Sequence, residues 1–240
     1  MYEYNTRIGF SQCDVNVTLT LTSLIDLFQD CSTFQSEDLG VGFKYLQKDN
    51  LVWVINYWEI QIKDLPKLCD YVRVGTAPYD FKSFLGFRNF WLKDNAGEYL
   101  VKANSVWSLI NIQETKPVKA SDELRETYVL DEKLDMEYNS RKVAIPEGDD
   151  VVIIKREPIS IQLHHLDSNH HVNNGQYVKL AITAMECSDE MSVSRMRVDY
   201  RKQAVLGDVI YPVVYKKDDI LVASLNDADG NPYSVTEIRG

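Results

Sequence analysis

What the chain lacks narrows the field before any motif is considered. No stretch approaches the roughly 18 to 20 consecutive apolar residues that a membrane-spanning helix needs. The first twenty residues carry Glu3, Arg7 and Asp14 where a secretory leader requires an apolar run. The four cysteines, Cys13, Cys31, Cys69 and Cys187, stand singly, without a CxxC pair or a histidine at ligand spacing. Neither a zinc site nor a disulfide framework is expected from that pattern, and reduced thiols in the cytoplasm fit it best. Positive charge is scarce: 26 Lys and Arg stand against 36 Asp and Glu, for a net charge of -10. The basic residues are interleaved with acids, which excludes a phosphate-neutralising nucleic-acid surface.

What is present is enough apolar material, 45% of 240 residues, for one large domain or two small ones. The order of segments repeats. Cys13-Asp14-Val15-Asn16 corresponds to Leu166-Asp167-Ser168-Asn169. Trp58-Glu59-Ile60-Gln61-Ile62-Lys63 corresponds to Met196-Arg197-Val198-Asp199-Tyr200-Arg201. Leu92-Lys93-Asp94-Asn95-Ala96-Gly97 corresponds to Leu225-Asn226-Asp227-Ala228-Asp229-Gly230. The offsets, 153, 138 and 133 positions, shrink steadily, as a duplication with shorter loops in its second copy would give.

Each copy is expected to hold one helix followed by antiparallel strands, an α+β design. In the first, Ser23 is the expected cap, Leu24, Leu27, Phe28, Cys31 and Phe34 mark the apolar face, and Gly40 is the expected stop. In the second, Asn173 or Asn174 caps a helix whose buried face holds Tyr177, Leu180, Ala181, Ala184 and Met185. Period-two alternation puts Ile60 and Ile62 inward and Glu59, Gln61 and Lys63 outward. Asp94 to Gly97 and Asp227 to Gly230 read as hairpin turns. Between the copies, from about Gln113 to Glu157, a long connection is expected, with local helix near Ser121 to Thr127.

All four histidines fall between His164 and His171. Asp167, Asn169 and His171, at alternate positions, point one way in an extended segment, and the helix that follows offers unpaired N–H groups at Val172, Asn173 and Asn174. A base, an orienting amide and N–H donors for a developing oxyanion suit acyl transfer to water. The plainer alternative makes these loop and cap residues with ordinary surface histidines. A metal held by His164, His165, His170, His171 and Asp167 is disfavoured, because adjacent histidines on an extended chain point to opposite faces.

The string Leu166-Asp167-Ser168-Asn169-His170-His171-Val172-Asn173-Asn174 resembles the signature of plant and bacterial acyl-acyl carrier protein thioesterases, Asp-x-Asn-x-His-Val-Asn-Asn followed by an aromatic. The resemblance extends to the paired layout, to Trp53 through Lys63, to Val198-Asp199-Tyr200-Arg201-Lys202 and to the Gly207-Asp208 turn. It implies a tandem (double) hotdog fold, each repeat a long helix wrapped by an antiparallel sheet. Residues 1–112 would form the first hotdog with the acyl-chain pocket, 113–157 the linker, and 158–240 the second hotdog.

By the same resemblance Asp167, Asn169 and His171 are catalytic; no cofactor and no metal are expected. The first copy keeps Asp14 and Asn16 but has Thr18 at the histidine position. Trp53, Tyr57, Trp58, Phe84 and Phe87 are candidates for lining the acyl tunnel. Where many members carry a Glu on the strand after the second helix, this chain has Gln203, which can hydrogen-bond but cannot act as a base. The implied activity is hydrolysis of fatty acyl-acyl carrier protein, the carrier presenting its chain on phosphopantetheine. The alternatives are a non-catalytic acyl-binding protein, an acyl-coenzyme A thioesterase and, lower, a dehydratase. A homodimer is expected by analogy alone. For an acidic carrier to meet this acidic chain, a local basic patch is needed. Arg195, Arg197, Arg201, Lys202 and Lys179 are the candidates.

Overall fold

Thr20 opens the first long helix. Its hydroxyl accepts a hydrogen bond from the Ser23 amide at 3.1 Å, and α1 (Leu21–Asp38) buries Leu21, Leu24, Ile25, Leu27, Phe28, Cys31 and Gln35 along one face. Ser23, the cap expected from sequence, lies inside the first turn, because the extended backbone before the helix is at Thr20. Gly40 ends the helix as anticipated, at φ 75°, a left-handed conformation that costs a glycine little. The structure is a computed structural model that describes residues 1–187 and 190–240.

In the first half, β1 (Tyr2–Arg7) precedes α1, and a short α2 (Phe43–Lys48) leads into β2 (Leu51–Ile62), β3 (Tyr71–Lys82), β4 (Leu85–Lys93) and β5 (Tyr99–Asn111). The connection carries β6 (Lys116–Pro117), α3 (Asp122–Thr127), β7 (Val152–Lys155) and β8 (Ile159–Ser160), with Ser121 capping α3 through a 3.1 Å bond from the Leu124 amide. Helix α4 (Asn174–Met185) is then followed by β9 (Arg195–Tyr200), β10 (Val209–Lys217), β11 (Ile220–Asn226) and β12 (Pro232–Arg239). The described strands form one twelve-stranded antiparallel sheet, in the order β1-β3-β4-β5-β2-β9-β12-β11-β10-β7, with β6 beside β5 and β8 beside β10. Both Asp-to-Gly turns form, with Gly97 donating to the Asp94 carbonyl and Gly230 to that of Asp227, each at 3.1 Å.

The halves join where β2 pairs with β9. Trp58 faces Val198 and Ile60 faces Met196. Under the 138-position offset these are the same two positions of each half meeting across the seam. On the concave side α1 and α4 pack against the sheet, and the rings of Phe28, Trp58 and Phe90 meet with centroids 4.9 to 5.9 Å apart. The helices approach closely because residue 175 is a glycine: a Cβ there would stand 2.7 Å from Asp26 Oδ1.

The convex side of the seam is not solvent, contrary to the alternation expected for Glu59. Glu59 is fully buried. Its carboxylate meets Arg195 Nη2 at 2.7 Å and accepts from Tyr57 OH at 3.1 Å, Asn139 N at 2.8 Å and Asn139 Nδ2 at 2.6 Å. Arg197 donates to Tyr57 OH at 2.9 Å and to the Ser140 carbonyl at 2.6 Å, and pairs with Glu237 at 3.5 Å. The connection therefore lies across the back of the sheet, held by buried charge. Arg195 and Arg197 are committed to this network and are unavailable to a docking partner; Arg201 donates to Asp199 and to the Val143 carbonyl, Lys202 is exposed but paired with Asp227 at 2.9 Å, and Lys179 is exposed. No helix among the described residues is long and apolar enough to cross a membrane.

Replacing Glu59 by Leu leaves the half-buried Arg195 with Glu137, at 3.7 Å, as its acid and strips Tyr57 and Asn139 of their acceptor, a loss of about 2 kcal/mol. Urea unfolding of E59L is expected to show that loss. Wild-type stability in that variant would mean that the connection is not held through Glu59.

Candidate active site

The loop before α4 is folded by one carboxylate oxygen. Asp167 Oδ1 accepts from the amides of Asn169 at 2.8 Å and His171 at 3.2 Å, while the Asp167 amide donates to the His171 carbonyl at 2.8 Å. His170 takes the left-handed conformation, φ 63°, that this tight return demands. The first half contains the same device: Asp14 Oδ1 accepts from Asn16 N at 2.9 Å and Thr18 N at 3.0 Å, and Val17 is left-handed at φ 57°. The aspartate thus builds the loop in both halves. In each, Oδ1 serves the backbone.

Asn173 caps α4, accepting from Gly175 N at 2.8 Å. Of the three N–H groups expected at the helix start, Val172 N already donates to the Ala204 carbonyl and Asn173 N to that of His165, each at 2.9 Å. Those two are corrected out of an oxyanion role, because loop closure engages them. The Asn174 N–H, in the first turn where no intrahelical acceptor exists, has no such partner among the described residues. Asn174 also ties the halves together, donating from Nδ2 to Gln29 Oε1 of α1 at 2.9 Å, while its backbone carbonyl accepts from Tyr200 OH of β9 at 3.0 Å. His165 is a structural histidine: its Nδ1 accepts from the Gln162 amide at 3.0 Å. Burial first, then His164 and Lys179, holds its pKa below the ordinary value.

Beside this helix start lies a cavity of about 290 Å³. Asp167, Asn169 and Asn174 stand at its head, and Trp53, Phe81, Phe87, Trp107 and Leu46 supply most of its apolar wall. The head comes from the second half of the chain and the wall from the first. His171 sits half-buried in the same loop, paired through its backbone with Val205, and is not part of the lining.

Of the five aromatic tunnel candidates, Trp53 and Phe87 line the cavity and three do not. A bulge between Ile55 and Tyr57 reverses the side-chain parity of β2. Tyr57 consequently points to the convex network, and Trp58 packs into the core under α1. Phe84 sits in the β3–β4 turn, 37% exposed. Gln203 also departs from expectation: β9 ends at Tyr200, so Gln203 lies in the following loop, exposed and off the cavity lining. Sequence reasoning missed Gln29, Ser36, Arg88 and Tyr128, all of which line the cavity. Arg88 left a signal. It shares the inward parity of Phe90 and Leu92 on β4, a charge at a core position.

These features define an α+β protein with a carboxylate–amide loop and a helix N-terminus set over a largely apolar pocket. The family model described as the acyl-ACP thioesterase N-terminal domain matches residues 1–128, and that of the C-terminal domain matches residues 148–227. The chain belongs to the acyl-ACP thioesterase family. An acyl-[acyl-carrier-protein] hydrolase of Cuphea viscosissima is 30% identical over 218 residues, 85% of this chain and 52% of that protein. An oleoyl-acyl carrier protein thioesterase of Arabidopsis thaliana is 26% identical over 212 residues, 82% of this chain and 58% of its own length. Both relatives are named as chloroplastic. The chain spans about half the length of the curated relatives it matches. In fold it is similar to an acyl-ACP thioesterase from Bacteroides thetaiotaomicron (TM-score 0.83, 21% identity, 99% of this chain and 96% of that one). The 12:0-ACP thioesterase from Umbellularia californica gives a TM-score of 0.82 at 18% identity, with the same coverage.

Because Oδ1 of Asp167 is structural, Asp167→Asn and Asp167→Ala are expected to differ in stability. The amide oxygen of Asn can keep accepting the two backbone bonds, so the melting temperature should stay near wild type. Alanine abandons both bonds and should cost about 1–2 kcal/mol. Equal melting temperatures for the two variants would contradict the loop role.

Proposed function

We propose that the chain hydrolyses the thioester between a fatty acyl chain and acyl carrier protein, on a tandem hotdog fold. Residues 1–112 form the hotdog that walls the acyl pocket, 113–157 the connection, and 158–240 the hotdog that carries the chemistry. One observation carries this reading: Asp167, Asn169 and the start of α4 stand at the head of a cavity whose wall belongs to the other half. The repeated order of helix and strands supports the tandem arrangement, and four cysteines that form no disulfide with one another fit a reducing cytoplasm.

The chemistry follows from which atoms are free. With Oδ1 of Asp167 tied to two amides, Oδ2 is the oxygen that activates a water or attacks the thioester carbonyl. Asn169 orients the carbonyl, and its oxygen, as charge develops there, meets the Asn174 N–H at the positive end of the α4 dipole. His171 passes a proton toward the departing phosphopantetheine thiol. Addition of water across the C–S bond yields a free fatty acid and the carrier thiol. Gln203 is outside this set, and Asp14, lacking a histidine partner, is a loop residue.

The test is release of free fatty acid from carrier protein loaded with chains of different length. Wild type and Asp14→Ala should both turn over. Asp167→Asn and His171→Ala should each lose at least about a hundredfold in kcat, and Gln203→Ala should change little. Turnover of coenzyme A thioesters in preference to carrier thioesters would assign the protein to the coenzyme A substrate class. Binding without turnover would leave an acyl-binding protein.

A further inference from the structure

The first half reaches the head of the pocket through Gln29 of α1. This side chain is half-buried, lines the cavity and accepts from Asn174 Nδ2 at 2.9 Å through Oε1. The bond fixes which way the amide faces. With its oxygen held by Asn174, the free end is Nε2, which carries two N–H donors. Nε2 has no acceptor among the described residues, and it is not sealed in protein as Trp58 Nε1 is. An amide nitrogen with donors to spare therefore opens onto the cavity. The residue that grips it, Asn174, is also the one whose backbone N–H stands unpaired at the helix start.

The duplication supplies a control. Under the 153-position offset Asn174 corresponds to Leu21, each the first residue of its helix, and Gln29 corresponds to Ile182. The Leu21 N–H donates to a carboxylate, Glu190 Oε2, at 2.5 Å. An anionic oxygen thus occupies the N–H at this position of the fold, and in the first half the chain fills it with its own acid. At Asn174 no described side chain does so. Ile182 is buried and has nothing to donate. A second donor therefore exists only at the helix start that follows Asn169 and His171.

We propose that Gln29 Nε2 and the Asn174 N–H together form the oxyanion hole, which makes Gln29 a catalytic residue contributed by the first half of the chain. The assignment rests on the hydrolase reading above and adds a donor to it. As the attacking oxygen bonds to the thioester carbon, the carbonyl π pair moves onto oxygen, where both donors meet it. The pair returns as the C–S bond breaks, and the proton removed from water ends on the departing thiol. Neither donor gives up its own proton. Two donors on a developing charge stabilise it more than they stabilise the trigonal carbonyl, so their effect falls on kcat.

The experiment compares Gln29→Glu, which can still accept from Asn174 Nδ2 but loses the donor, with Gln29→Met, which loses both. Each should lose about a hundredfold in kcat on acylated carrier protein while KM stays within about threefold. If Gln29 served only to tie the helices, Gln29→Glu would keep wild-type kcat, and that result, or a loss expressed in KM instead, overturns the proposal. Gln29→Glu decides the point even if Gln29→Met does not fold. A second readout is calorimetry with two acyl-phosphopantetheine ketones, one with CH2 in place of the thioester sulfur and one with CF2, which hydrates to a tetrahedral carbon. Wild type should bind the CF2 compound about a hundredfold more tightly, and Gln29→Glu should lose most of that margin. An equal margin in the two proteins overturns the role of Gln29 and leaves the hydrolase reading standing. If wild type turns over no thioester, the hydrolase reading falls, and the ketone margin alone then decides for or against Gln29.

Discussion

The seam between β2 and β9 is the constraint from which the rest of the molecule follows. Pairing Trp58 with Val198 and Ile60 with Met196 leaves each half's helix on the same concave face. That placement brings Gln29 of α1 to Asn174 of α4. The close approach needs Gly175 and is incompatible with a side chain there. On the convex side the seam buries Glu59, a charge that survives only because Arg195, Tyr57 and the backbone of the connection satisfy it. Seam, helix contact and connection are one assembly. Neither half alone could make the pocket, since one supplies the walls and the other the head.

The comparison of the two loops shows how a repeated structure acquires one site. Asp14 and Asp167 fold their loops with the same pair of backbone bonds. What separates them is what surrounds the second carboxylate oxygen. Asp167 faces a cavity and has His171 two residues past Asn169, whereas Asp14 is followed by Thr18, which is buried. The structural task therefore belongs to both copies and the chemical task to one. An aspartate in such a loop cannot be assigned a catalytic role from its motif alone.

Much of this was legible in the chain. The 153- and 133-position offsets reappear as matching loops and matching Asp-to-Gly turns, because those features depend on local backbone chemistry. The cap at Asn173 and the stop at Gly40 were legible for the same reason. Other features depend on distant residues. The bulge at Ile55/Tyr57 inverts which aromatics of β2 face the pocket, and no turn residue announces it. Burial of Glu59 and Arg197 results from a connection that carries no periodic signal yet crosses the back of the sheet. The N–H groups of Val172 and Asn173 look free in the sequence because their acceptors, Ala204 and His165, are set by tertiary folding. Arg88 was visible in principle, as a charge in the inward register of β4.

The central claim is that the acyl chain lies between α1 and the first half's strands with its carbonyl at the start of α4. A structure of the protein with a non-hydrolysable amide analogue of an acylated phosphopantetheine tests it directly. The account predicts the amide carbonyl within hydrogen-bonding distance of the Asn174 N–H, and the chain running past Trp53 and Phe87 toward Arg88. A chain lodged instead in the groove between the two helices, beside Asp26, Lys179 and Cys187, would contradict it.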